Sequence, residues 1–243
     1  MTTAEGASQE TYRLLWESPT APRRGPKPTL TLAAIAAAGV ELADEEGLAA
    51  VTMQHIAAAL GVTKMALYRY LPGKVELVAL MTEAAMGEAP SLDMAGWRPK
   101  LHEWARRLFA GLVRHPWLAD TTVGARVIGP HELGWTEQAV AALIGTGLRG
   151  AEILDVVATL AGHAKAIAQQ AAAAGAQTAE AGLTDAIGTM LRGREDRFPA
   201  LVATLDALAR EGGQDDALDF GLTRILDGVE LLVTARGQGS DAG

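Results

Sequence analysis

The chain has 243 residues with a net charge of −8 and no cysteine, and its 49% hydrophobic content comes with a mean hydropathy of only +0.13. That length can bury one large core or two smaller ones. Without cysteine there is no disulfide framework, thiolate metal site or cysteine nucleophile. No apolar run approaches the roughly 20 residues a bilayer needs, and the start, MTTAEGASQE, lacks the basic and apolar segments of a secretory signal. The expectation is a cytoplasmic protein with no membrane partner. The negative total speaks against nucleic acid, because phosphate binding runs on Lys and Arg. The charge is uneven, however: through Lys74 seven positive residues match seven negative ones, and the rest of the chain carries the deficit.

Residues 1–28 read as a flexible N-terminal extension, in which PTAPRRGPKP forbids regular helix and favours an extended backbone. From Thr29 onward the pattern is all-α, with 3.6-residue apolar periodicity broken by Gly and Pro and no sustained alternation. A first helix is expected from Thr31 as N-cap to Gly47, with Ile35, Ala38, Leu42 and Ala43 on one side. A second starts from Thr52 as N-cap and turns Ile56, Ala57 and Leu60 inward. A third runs from Thr63 to about Leu71, stopped by Pro72. Lys74 to Met86 is the fourth, followed by a break at GEAPSLDMAG.

Beyond the break, Trp97 to Arg114 aligns Trp97, Leu101, Trp104, Leu108 and Leu112 on one stripe, and a short element begins at HPWLAD. Further helices are expected over Pro130 to about Thr146, Gly150 to about Ala174, Arg194 to about Arg210 and Asp215 to about Ala235. Residues 171–196, rich in Gly and polar side chains, are expected to be the flexible part of this half.

Residues 52–71 have the spacing of a helix-turn-helix. Small Ala57 allows close helix approach, Gly61 supplies the turn, and Ile56, Leu60, Val62 and Leu67 form a shared seam. Gln54, His55, Thr63, Lys64, Met65, Tyr68, Arg69 and Tyr70 are left on the outer faces, where a major groove would lie. The spacing alone fits equally a structural αα-corner with a glycine turn.

The run LADEEGLAAVTMQHIAAALGVTKMALYRYLPGKVELVALM, with a Thr-capped second helix, A-x-x-L-G-V and then L-Y-x-Y-L-x-x-K, resembles the N-terminal DNA-binding domain of the TetR family of transcriptional regulators over about residues 29–86. WRPKLHEWARRLFAGLVRHPWLAD and FGLTRILDGVELLV look like the tetracycline-repressor-type C-terminal domain, which would occupy residues 87–243. This resemblance implies a ligand-responsive regulator, most often a repressor, that binds a pseudo-palindromic double-stranded DNA operator as a homodimer and is released by a small-molecule effector. It also implies that C-terminal helices form a four-helix bundle in the dimer. Carried over by position, Thr52 would cap the second helix against a phosphate and Gln54 would reach into the groove, with Thr63, Lys64 and Met65 opening the recognition helix. Lys64 suits guanine O6/N7 and Met65 a thymine methyl. Tyr68 falls on the family's tyrosine, Tyr70 takes the usual histidine position beside a phosphate, and Lys74 faces the DNA backbone. Arg69 falls at a variable position. An all-α small-molecule-binding protein with a vestigial helix-turn-helix is the alternative reading.

Arg23, Arg24 and Lys27, spaced by Gly and Pro, fit either a minor-groove arm or a solvated linker. Trp104, Trp117, Trp135 and His163 are candidates for the walls of a ligand pocket, although a tryptophan stripe at helical spacing is equally core. No H-x-x-x-H or H-E-x-x-H occurs, and His131-Glu132 is a poor metal pair, so neither metal nor cofactor is expected. Enzyme signatures are missing too: there is no G-x-S-x-G or Walker loop, and Gly145-Thr146-Gly147-Leu148-Arg149-Gly150 joins two helices instead of following a strand.

Overall fold

Side-chain chemistry at the helix ends sets the boundaries of the N-terminal half. In the computed structural model, which describes residues 2–17, 30–174, 179–212 and 217–240, α1 spans Thr2–Trp16, α2 Leu32–Glu46, α3 Met53–Ala59, α4 Lys64–Tyr68 and α5 Lys74–Met86. Three threonines act as N-caps of successive helices. Thr31, Thr52 and Thr63 each hold an extended backbone while their hydroxyl oxygens accept from Ala34 N (3.1 Å), His55 N (3.2 Å) and Ala66 N (3.2 Å). Each satisfies a backbone N–H that the helix itself cannot pair. Gly61 takes φ 63°, the left-handed conformation that the turn between α3 and α4 requires. α4 is shorter than the expected helix to Leu71, because Arg69 already serves as its C-cap.

α2 and α5 pack closely because Gly39 carries no side chain: a Cβ there would lie 2.7 Å from Met81 Sδ. Ile35, Val51, Ile56, Leu67, Leu71, Leu77 and Met81 form the core between α2, α3, α4 and α5. This core does not end at a linker. Leu112, Trp117, Leu118 and Ala168 belong to the same cluster, so the two halves share buried surface.

The second half contains α6 Trp97–Arg114, α7 Leu118–Thr121, α8 Pro130–Leu143, α9 Gly150–Ala174, α10 Ala179–Leu191, α11 Pro199–Glu211 and α12 Ala217–Ser240. The apolar stripe of α6 is buried as its periodicity predicts, with Leu101, Trp104 and Leu112 at 0–4% exposure. Leu101 and Trp104 meet Leu143, Leu160, Leu222 and Leu226 from α8, α9 and α12 in a second core, while Leu112 faces the first. The opposite edge of α6 is basic and grips an acidic row on α12: Arg98 pairs with Asp227 and Glu230, and Arg106 with Asp219 at 2.8 Å.

Three expectations are corrected. The extension is not flexible throughout: Thr2–Trp16 is helical, Thr11 is buried with its hydroxyl 3.5 Å from Glu76 Oε1, and the Trp16 indole donates to Ile128 O at 2.9 Å. The physical reason is that TYRLLWES carries enough apolar surface to cover α5. Within 171–196, residues 179–191 form α10, whose Leu191 is buried. The helix expected from Arg194 begins at Pro199, which suits the first helical turn, after a single 3-10 turn at Glu195–Arg197. Among the described residues there is no strand, and no helix is long and apolar enough to cross a membrane.

Candidate functional site

The α3–turn–α4 unit divides by face. Ile56, Ala57 and Leu67 are buried, and Leu60 and Val62 pack against them, so the seam read from the sequence is the one that forms. The turn is held by Val62 N donating to Ala57 O at 2.9 Å and Gly61 N to Ala58 O at 3.1 Å. On the outside, Gln54, Thr63, Lys64 and Arg69 are exposed, with Met65 at 73% and Tyr68 at 43% exposure. A methionine exposed to that extent contributes nothing to the core. His55 is turned back, its Nδ1 2.9 Å from Ala50 O.

Thr52 and Thr63 use their oxygens as caps, but a hydroxyl accepts and donates at once, so each keeps a proton for an anionic oxygen. Tyr70 is half-buried against the core. Lys74 donates to Leu48 O at 3.4 Å, which draws the start of α5 onto the loop before α3 and leaves two ammonium protons free to face a phosphate. Arg23, Arg24 and Lys27 lie outside the described residues.

Above α5 lie two cavities. The first, about 510 Å³, lies between α1, α5 and the 121–129 segment, with Leu15, Val75, Val78 and Ala79 among its walls. The second, about 400 Å³, lies between α6, α8 and α9: Leu108, Leu112, Val157 and Ala161 line it together with Trp104 and Trp135. Glu132 borders both. It is paired with Arg126, and each partner keeps one buried atom without a hydrogen bond, Glu132 Oε2 and Arg126 Nε.

Of the four pocket candidates, the structure brings two together. Trp104 and Trp135 stand 6.4 Å apart at 59°, and the Trp104 indole donates to Trp135 O at 2.9 Å. Trp117 is elsewhere, 5% exposed in the shared core with its N–H on Asp44 Oδ1 at 2.7 Å. His163 faces α12, its Nε2 3.0 Å from Leu218 O, so close that a Cβ on Gly221 would sit 2.2 Å from the ring. Neither lines the cavity, because the 100° step per residue on a helix sends neighbours to different faces. The sequence reading missed Glu132 and Lys165 at this cavity. Lys165 was findable, since it continues the Ala158, Ala161 and Gly162 stripe of α9.

Trp135 also reaches out of the cavity. Its indole N–H lies 3.2 Å from Met86 O and 3.3 Å from Gly87 O, the final carbonyls of α5. Beside it, His131 N donates to the Glu83 carboxylate and His131 Nδ1 lies 2.9 Å from Glu83 O. The cavity wall and the helix leading to α4 are therefore bonded directly.

A solvent-facing helix-turn-helix joined by one helix to an all-α domain with an aromatic cavity defines the class of ligand-responsive, DNA-binding transcriptional regulators. Residues 35–81 match the model of bacterial regulatory proteins of the tetR family, and residues 89–233 match the tetracyclin repressor-like C-terminal domain. The HTH-type transcriptional repressor DrrR1 of Streptomyces coeruleorubidus is 35% identical, over 97% of this chain and 90% of that protein. An HTH-type transcriptional regulator of Saccharopolyspora erythraea is 29% identical over 84% of this chain and 86% of its own length. Among solved structures, the fold is similar to the Streptomyces coelicolor TetR family protein ActR in complex with actinorhodin, with TM-score 0.71 and 22% identity over 83% of this chain and 96% of that one. It is similar also to the S. coelicolor regulator SCO7222, with TM-score 0.68 and 26% identity over 85% and 99%. The chain belongs to the TetR family and is a ligand-responsive transcriptional regulator with a DNA operator and a small-molecule effector as its partners.

Proposed function

We propose that this regulator is a cytoplasmic repressor, not an enzyme, in which residues 29–86 bind DNA and residues 87–243 bind effector and dimerise. Lys64, Met65 and Tyr68 read the major groove, into which Gln54 also reaches, while Thr52, Thr63, Tyr70 and Lys74 hold the backbone. Two copies of α4 would enter successive grooves about 34 to 36 Å apart on a pseudo-palindromic site. Phe220 and Leu231 of α12, 66% and 74% exposed, lie on one face of that helix and supply apolar surface for the homodimer contact.

The effector occupies the 400 Å³ cavity between Trp104 and Trp135. A flat aromatic compound fits such walls, and the similar fold of ActR has been solved in complex with actinorhodin. The observation that carries the mechanism is the double role of Trp135, which walls the cavity and bonds the end of α5. Effector that displaces its ring moves α5, and α5 sets the position of α4 in the half-site. Emptying a nearly full operator needs roughly 10⁴-fold discrimination between the two states.

The test is an operator-release assay with Trp135→Phe, which keeps an aromatic wall and removes the N–H. Operator affinity retained with a blunted effector response supports the coupling; a wild-type response rejects it. The operator is found first by selecting bound sequences from random duplex.

A further inference from the structure

Among the described residues, four polar side chains border the aromatic cavity besides its tryptophans: Thr122, Glu132, Thr136 and Lys165. Both threonine hydroxyls donate to backbone carbonyls, Thr122 to Leu118 O at 2.9 Å and Thr136 to Glu132 O at 3.2 Å. Glu132 is neutralised by Arg126. Lys165 has no hydrogen bond and no ion pair among the described residues, and it stands at the end of a stripe whose other members, Ala158, Ala161 and Gly162, are too small to fill the space before it. At Gly162 an added Cβ would meet nothing within 4 Å.

We propose that Lys165 is the counter-ion for an acidic group on the effector, so that this cavity selects flat aromatic anions over neutral or cationic compounds of the same shape. The inference rests on the reading of this cavity as the effector site. Its physical basis is that an ammonium brought beside apolar walls gives up hydration without gaining a partner, and a ligand carboxylate or phenolate restores what was lost. Burial holds the Lys165 amine below the ordinary lysine value, with Asp120 acting against that shift and Arg126 adding to it. Asp120, exposed on α7, acts on the Lys165 charge but forms no ion pair with it, which leaves the ammonium open to a ligand anion. A cationic ligand has no comparable partner, since among the described residues lining the cavity the carboxylate is that of Glu132, which already holds Arg126 and whose remaining oxygen is buried.

The experiment is calorimetric titration of the full chain with three probes of one ring system: 2-naphthoate, 2-naphthalenemethanol and 2-naphthylmethylammonium. The expected order places the carboxylate first. Lys165→Met should weaken naphthoate about tenfold, the scale of a charge-assisted contact, and leave the alcohol nearly unchanged. Lys165→Arg should restore most of the preference, which separates charge from packing. Equal loss for acid and alcohol in Lys165→Met, or tightest binding of the ammonium probe, overturns the proposal. If Trp104→Ala leaves naphthoate affinity untouched, the ligand sits elsewhere and the effector-cavity reading fails with it; acid binding that needs Trp104 and survives Lys165→Met sinks the counter-ion alone.

Discussion

The indole N–H of Trp117 donates to Asp44 Oδ1 at 2.7 Å, with His115 Nδ1 2.9 Å from the same oxygen. Asp44 lies on α2, in the N-terminal half, and Trp117 immediately precedes α7 in the C-terminal half. One carboxylate thus joins the two halves across a buried ring.

Removing that acceptor leaves a buried donor without a partner. Asp44→Ala should destabilise the fold by about 1–3 kcal/mol, read as the change in denaturant midpoint. Trp117→Phe on its own should cost less at this contact, and in the Asp44→Ala background it should recover part of the loss. Strict additivity of the two changes would show that the bond is not energetically coupled.

The two faces of α4 predict opposite phenotypes. Lys64→Ala and Tyr68→Ala should leave stability within about 0.5 kcal/mol, as for exposed positions, while operator affinity falls by about 1–3 kcal/mol per lost contact. Leu67→Ala, at 0% exposure, should instead cost about 2–5 kcal/mol of stability. Anisotropy titration and chemical unfolding of the same samples separate the two outcomes.

The basic arm must be tested without disturbing α1. Truncating residues 1–28 removes a packed helix as well as Arg23, Arg24 and Lys27, and so mixes two effects. The triple alanine replacement of those three residues should flatten the dependence of log affinity on log salt by up to about 0.9 per lost phosphate contact. An unchanged slope returns the segment to the status of linker. Removing residues 1–17 should lower thermal stability, because Leu14 packs against the first core and Thr11 meets the buried Glu76 of α5.

Glu152 gives the acid side of the stability profile a specific origin. Hydrogen bonds from Arg236 and then from Arg149 hold its carboxyl at about 2, below the ordinary 4.5. A depressed carboxylate stabilises the fold fully above the unfolded value of 4.5, and that contribution disappears as pH falls toward about 2. Glu152→Gln should therefore lose pH dependence within this window. A parallel wild-type curve over the same range would show that the Arg236 bond between α9 and α12 has no part in acid unfolding.

Packing at Gly221 makes the last prediction. Gly221→Ala would drive a methyl into the His163 ring, and either the ring leaves Leu218 O or α12 shifts. A loss of about 1–3 kcal/mol is expected, as for overpacked cores. Thermal unfolding without change would show that the ring moves freely.

Local chemistry determined a great deal of this protein in advance. Threonine caps and glycine turns act within a few residues, so the ends of α2, the start of α3 and the full span of α5 follow from sequence alone, as does the inward seam of Ile56, Ala57 and Leu67. The exposed set on α4 follows from the same periodicity. What the tertiary structure decided is which residues from distant segments share a space. Trp104 and Trp117 look alike in sequence, yet one walls a cavity and the other locks two halves together. Whether residues 2–16 stay free or fold depends on a partner surface on α5 that is 60 or more residues away. The charge that faces the cavity, Lys165, is defined by the carboxylates that fail to reach it, and only the relative rotation of α7, α8 and α9 sets those distances.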